Sequence, residues 1–271
     1  RRFKIMACRN AYKVINNSND FFVSEKSESL SEMTPNRLLF GVYSKTSTNT
    51  LLQNNIDEFE WVVRNKIYPN FCGRYISGDN SLTREEIKFF HNKGCKIGAI
   101  YTTPNEKLTE DQAIDIVSQI VITTHHLGIP KETAIFLEIG EEEKVTVEFM
   151  RVFASALMKE GFTPGFKANT NANYDFDRVF SAGMQNHKEV FEKCLIWATA
   201  PTLEDYDEMT TTHLIHPDKW KPFAPSAITR KEIAVWQYGK DCHPIYDDND
   251  NLTSFNLNLI RNPEVIINKM F

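Results

Sequence analysis

A chain of 271 residues, 41% hydrophobic and 25% charged, has enough apolar surface to fold as one α/β domain without disulfides or metals. Its formal net charge of −5 argues against a polyanion-binding surface, which needs a clustered excess of Lys and Arg, so no nucleic acid partner is expected. No window approaches the roughly 20 consecutive apolar residues that span a bilayer, so no membrane insertion by a helix is expected.

Residues 1–36 are polar and irregular, with Phe21, Phe22 and Val23 as apolar anchors, and read as an N-terminal arm. The opening on Arg1 rather than Met leaves room for a removed leader or a preceding domain. The compartment therefore stays open, with a lean towards the cell envelope or exterior. Over residues 37–271 short apolar runs alternate with amphipathic stretches, the mark of βα units around a parallel sheet.

Eight runs read as strands: Leu38–Ser44, Asn70–Ser77, Lys96–Thr102, Ala134–Ile139, Thr163–Ala168, Leu195–Ala198, Glu232–Tyr238 and Ser254–Leu259. Their starts lie 22 to 38 residues apart, the pitch of a TIM-type (β/α)8 barrel with some irregularity. Between them, Thr83 with Glu86 forms a capping box before Ile87 and Phe90, and Gly94 ends that helix. Thr109 with Gln112 opens the next, which stops at Gly128, and Thr146 starts a third that runs to Gly161.

In such a barrel the reacting side chains lie at the C-terminal ends of strands. Those ends carry Tyr43, Arg74 with Tyr75, Tyr101, Glu138, Asn169, Trp197, Trp236 with Gln237 and Tyr238, and Asn256 with Asn258. Glu138 is set apart as the one carboxylate in an otherwise apolar strand. Desolvation there would raise its pKa and suit a general acid, while the competing reading is a salt bridge to a neighbour such as Arg74. Glycosidases commonly use two carboxylates, and the candidates for a second are Glu141, Glu142, Asp79, Glu204, Asp205 and Asp207, all in loops.

Tyr43, Tyr75, Tyr101, Trp197, Trp236 and Tyr238 either ring the mouth as a sugar platform or cap the barrel core. Asp247, Asn249 and Asn251 open like a calcium loop but lack its Gly and Glu, and read as a polar turn. His125 and His126, late in a helix, read as structural. Cys8, Cys72, Cys95, Cys194 and Cys242 are scattered without ligand spacing and read as buried thiols, with a Cys72–Cys95 disulfide geometrically conceivable. Neither a metal nor another cofactor is expected.

Phe71-Cys72-Gly73-Arg74-Tyr75, Leu82-Thr83 with Glu86, His126-Leu127-Gly128-Ile129-Pro130, Gly161-Phe162-Thr163-Pro164-Gly165, Trp236-Gln237-Tyr238 and Phe255-Asn256-Leu257-Asn258 follow one another in a fairly specific order. In this the chain resembles the glycoside hydrolase-like domain of unknown function 1906, over about residues 37–262. That family is similar to the family 25 lysozyme-type hydrolases, which implies a TIM-type barrel and a bacterial cell-wall or related polysaccharide, such as the glycan of peptidoglycan, as ligand.

Three positions depart from the family pattern, which has acids where this chain has Tyr43, Gly140 and Asn256. The leading expectation is a glycan-acting barrel that hydrolyses a glycosidic bond with Glu138 as acid. Tyr43 or a loop carboxylate is then its partner, and Arg74, Tyr75, Tyr101, Asn169, Trp197, Trp236, Tyr238 and Asn256 bind the sugar. The alternatives are a barrel that has lost hydrolysis and serves as a carbohydrate-binding or wall-targeting module, and a partner-binding scaffold with a vestigial cleft. Oligomeric state is not legible.

Overall fold

The structure is a computed structural model that describes residues 38–47, 50–52, 56–64, 68–102, 108–203, 217, 219–246 and 252–271. The arm at residues 1–36, Cys8, the polar turn at Asp247, Asn249 and Asn251, and Glu204, Asp205 and Asp207 lie outside the described residues. Eight strands close into a barrel in sequence order: β1 (Leu39–Tyr43), β2 (Phe71–Tyr75), β3 (Lys96–Thr102), β4 (Ala134–Glu138), β5 (Thr163–Ala168), β6 (Leu195–Ala198), β7 (Ile233–Tyr246) and β8 (Leu252–Ile260).

Helices α1 (Glu58–Arg64), α2 (Arg84–Asn92), α3 (Glu110–Leu127) and α4 (Val147–Lys159) fill the first four crossovers, α5 (Asp175–Asn186) and α6 (Lys188–Phe191) the fifth. Their punctuation is the one that the sequence predicts. Thr83 accepts a hydrogen bond from the Glu86 amide, Thr109 and Gln112 cap each other, and Gly128 adopts the left-handed conformation, φ 73°, that ends α3. No helix among the described residues is long and apolar enough to cross a membrane.

The irregularity lies at the seam. Strands β1 to β7 are parallel, but β8 runs antiparallel to both β7 and β1. The connection from Tyr246 to Leu252 is far shorter than the dozen or more residues that a parallel crossover needs, so a hairpin is the only way to continue the sheet. The last strand therefore descends from the mouth to the floor. Asn256 and Asn258, expected at a strand end, sit mid-strand opposite Tyr43 and Gly41.

Two layers of core follow from the pleat. Facing outward, Val42, Cys72, Ile97, Ile135, Leu137 and Phe166 meet the helices in one cluster, and Phe149, Phe153 and Leu157 of α4 are fully buried there. Facing inward, Leu39, Phe71, Ile100, Phe136 and Trp197 fill the barrel. The Trp197 indole takes the space that glycines on two strands, β2 and β3, vacate. A Cβ on Gly73 would stand 2.7 Å from its Cη2, and one on Gly98 3.2 Å from its Cζ3. The indole N–H donates to Asn258 Oδ1 at 3.0 Å, so the one polar atom of this ring is satisfied inside the barrel.

The floor is closed by α7 (Pro263–Lys269), whose Val265 and Ile266, with Met270, join the inner cluster. The Phe271 carbonyl accepts from the Ile97 amide at 2.8 Å, which pins the chain under β3. The four described cysteines are buried thiols, none of them in a disulfide. The Cys72 and Cys95 sulfurs lie 3.5 Å apart.

Candidate active site at the barrel mouth

Alternation along β4 turns Ile135 and Leu137 out and Phe136 in, so Glu138 points into the barrel at its C-terminal end. Its register partner on β5 is Lys167. The Lys167 ammonium donates to one Glu138 oxygen and the Tyr75 hydroxyl to the other, while the Tyr43 hydroxyl donates to that of Tyr75. The two phenol rings meet edge to face with centroids 5.4 Å apart, and the Lys167 nitrogen lies 4.6 Å from the Tyr43 ring centre. The Glu138 side chain is 27% exposed and that of Lys167 4%, so the carboxylate is the accessible end of the cluster.

Electrostatics overturn the expectation of a raised Glu138 pKa. Burial pushes the carboxyl up, but the Lys167 ammonium and the Tyr75 hydroxyl outweigh it and hold Glu138 below the usual carboxylate range. An acid already ionised has no proton to donate to a leaving group. Burial, with the Glu138 charge beside them, drives the Tyr43 and Tyr75 hydroxyls well above the ordinary phenol range, so both stay neutral. Burial pulls the Lys167 ammonium below the usual lysine range against the opposing pull of Glu138.

Asn256 completes the same ring from β8. Its Oδ1 accepts from Gln237 Nε2 at 3.3 Å and from the Asp241 amide at 3.2 Å. Gln237 is buried and its Oε1 has no hydrogen-bond partner among the described residues.

Of the expected site residues, the structure brings together Tyr43, Tyr75, Glu138 and Asn256, and separates the rest. Arg74 points outward, 1% exposed in its side chain. Its Nε donates to Glu86 Oε1 at 2.8 Å, and its other nitrogens donate to the Ser44 and Asn80 carbonyls at 2.9 Å, so it ties β2 to α2. Trp197 is the barrel filling described above. Trp236 and Tyr238 pack in the outer layer, where the Trp236 N–H donates to the Pro201 carbonyl at 2.9 Å. All three rings are fully buried and present no face to a sugar. Tyr101 is half-buried against the outer layer, and the half-buried Asn169 donates to Glu141 Oε1 at 2.6 Å.

Lys167 and Gln237 are the two members of this cluster absent from the expected site. The signal for Lys167 is the one that marks Glu138, a charge inside an apolar strand. Beside the mouth, Thr170, Asn171, Phe223, Ile228 and Arg230 line an open cleft of about 350 Å³, with the Thr170 hydroxyl donating to the Phe223 carbonyl at 3.0 Å. No group of His, Cys, Asp and Glu among the described residues is arranged to hold a metal.

Comparison with known proteins gives one matching family model, the Rv2525c-like, glycoside hydrolase-like domain, over residues 64–252. Among solved structures the chain is similar to an uncharacterized B. stearothermophilus protein at 24% identity, covering 86% of this chain and 100% of that one with a TM-score of 0.70. It is also similar to the Clostridium perfringens spore cortex lytic enzyme SleM at 12% identity, over 88% of this chain and 71% of that one, TM-score 0.50. A family 25 glycosyl hydrolase from Bacillus anthracis matches at 12% identity over 89% and 96%, TM-score 0.46. No curated protein matches.

Proposed function

Because the chain belongs to the family of Rv2525c-like, glycoside hydrolase-like domains, we propose that it binds saccharide at the barrel mouth without cleaving it. The observation that carries this reading is the pairing of Glu138 with Lys167. The groups acting most strongly on the carboxylate are a cation and a phenol, where most glycosidases place a second carboxylate. Glu138 then serves as an anionic acceptor for sugar hydroxyls. The adjoining cleft, lined by the apolar Phe223 and Ile228 and the polar Thr170, Asn171 and Arg230, has the mixed lining and the size that suit a sugar ring.

The first ligand to test is the bacterial cell-wall glycan that the family resemblance implies. Purified, insoluble peptidoglycan should pull the protein down, Glu138→Gln and Phe223→Ala should weaken this at least several-fold while both variants keep the wild-type circular dichroism spectrum, and no new reducing ends should appear. Release of reducing ends that Glu138→Gln abolishes would replace this reading with hydrolysis. Equal retention of all three proteins would remove the mouth as the binding site.

A further inference from the structure

We infer that Asp177 positions one wall of the cleft beside the mouth, so that glycan retention depends on a residue that does not line the cleft. That dependence rests on the saccharide reading, whereas the clamp itself rests on hydrogen bonds alone. The wall belongs to residues 219–232, which carry neither helix nor strand, so their backbone polar groups have no ladder to hold them. Phe223 and Ile228 stand on this wall, with Thr170 and Asn171 across the cleft. At Phe223 the wall is tied to the end of β6, where the Phe223 amide donates to the Ala200 carbonyl at 2.9 Å, and to Thr170, whose hydroxyl donates to the Phe223 carbonyl. The stretch that leads on to Ile228 is tied by α5. Asp177 Oδ1 accepts from the Ser226 amide and Oδ2 from the Ser226 hydroxyl at 3.0 Å. Ser181, one turn along α5, accepts from the Ala227 amide at 3.2 Å and donates to Asp177 Oδ1 at 3.5 Å.

Asp177 is buried on the same helix as the core residues Phe176, Val179 and Phe180. Among the described residues no cation pairs with it, and the adjacent Arg178 pairs with Asp175 instead. A carboxylate withdrawn from water without a counter-ion costs desolvation. Its place in the first turn of α5 offsets part of this cost through the helix dipole, and the donors from Ser226 and Ser181 offset more. Two of those three donors belong to the wall. Bonds to a carboxylate are stronger and better defined in direction than those between neutral groups, which is what an irregular segment needs in order to hold one position. With Phe223 and Ser226 both tied, the wall stands in place before any ligand arrives, and binding need not order it.

The test joins hydrogen exchange, followed by mass spectrometry, to retention on purified peptidoglycan. Asp177→Ala should speed exchange in peptides covering residues 220–230 while those covering β2 and β3 keep wild-type rates, and should weaken retention several-fold. Added to Phe223→Ala, it should weaken retention much less than it does alone, because both act through one wall. Asp177→Asn keeps an acceptor for the Ser226 amide and should restore much of the retention. Where Asp177→Ala does not fold, Ser226→Ala, at an exposed position, removes the hydroxyl bond and should move exchange and retention in the same direction. Wild-type exchange over residues 220–230 in these variants would overturn the clamp. Faster exchange with full retention, or losses that multiply in the double variant, would overturn its link to the cleft. A wild-type protein that peptidoglycan does not retain would sink the saccharide reading and the dependence built on it, while the exchange rates still decide the clamp.

Discussion

Glu138 and Lys167 face each other because they are register partners on adjacent parallel strands, and the Lys167 ammonium lowers the Glu138 carboxyl pKa. The folded pKa of Glu138 lies below the value of about 4.3 for a free glutamate. The sign follows: the pair stabilises the fold above that value and loses this contribution as pH falls through the folded pKa. In a thermal-unfolding series from about pH 5 to pH 2, Glu138→Gln should flatten the acid side of the curve relative to wild type. Superimposable acid limbs would show that the pairing adds nothing to stability. At this scale the sequence makes Glu138 legible, since a carboxylate in an apolar strand needs a reason. The sign of its pKa shift is not legible, because it depends on the cation across the ladder.

The strand starts differ from those expected by no more than two residues, because loops rich in turn formers and well-capped helices bracket each apolar run. The direction in which each rim residue points is a different matter. Strands of a closed parallel barrel are buried on both faces and carry no polar–apolar alternation, so nothing local says whether Arg74 or Tyr75 turns inward. Trp236 and Tyr238 are harder still, since the register shift between β6 and β7 breaks the count that would assign their face. The glycine in Phe71-Cys72-Gly73-Arg74-Tyr75 has a reason that only the fold supplies, the close approach of Trp197. Gly73→Ala should cost about 1–3 kcal/mol in denaturant unfolding through overpacking against this rigid ring. No loss would mean that the indole has room to shift.

At the scale of the molecule, one inner core runs from the phenols at the mouth to α7 at the floor. Ile266, fully buried, belongs to it although it lies in the last helix. Ile266→Ala should therefore lower global stability by about 2–5 kcal/mol. The unfolding should remain a single transition when followed by circular dichroism and by tryptophan fluorescence. An early, separate loss of α7 would mean that the floor is an appendage rather than part of the barrel.

The descending β8 has a practical consequence. It carries the chain away from Glu138, and since Leu39 begins β1 at the floor and the Phe271 backbone is bonded to Ile97 at the start of β3, both described ends leave by one pole. An affinity handle or resin linkage joined after Phe271 would hold the protein upside down by that pole, with the opposite opening facing freely into solution.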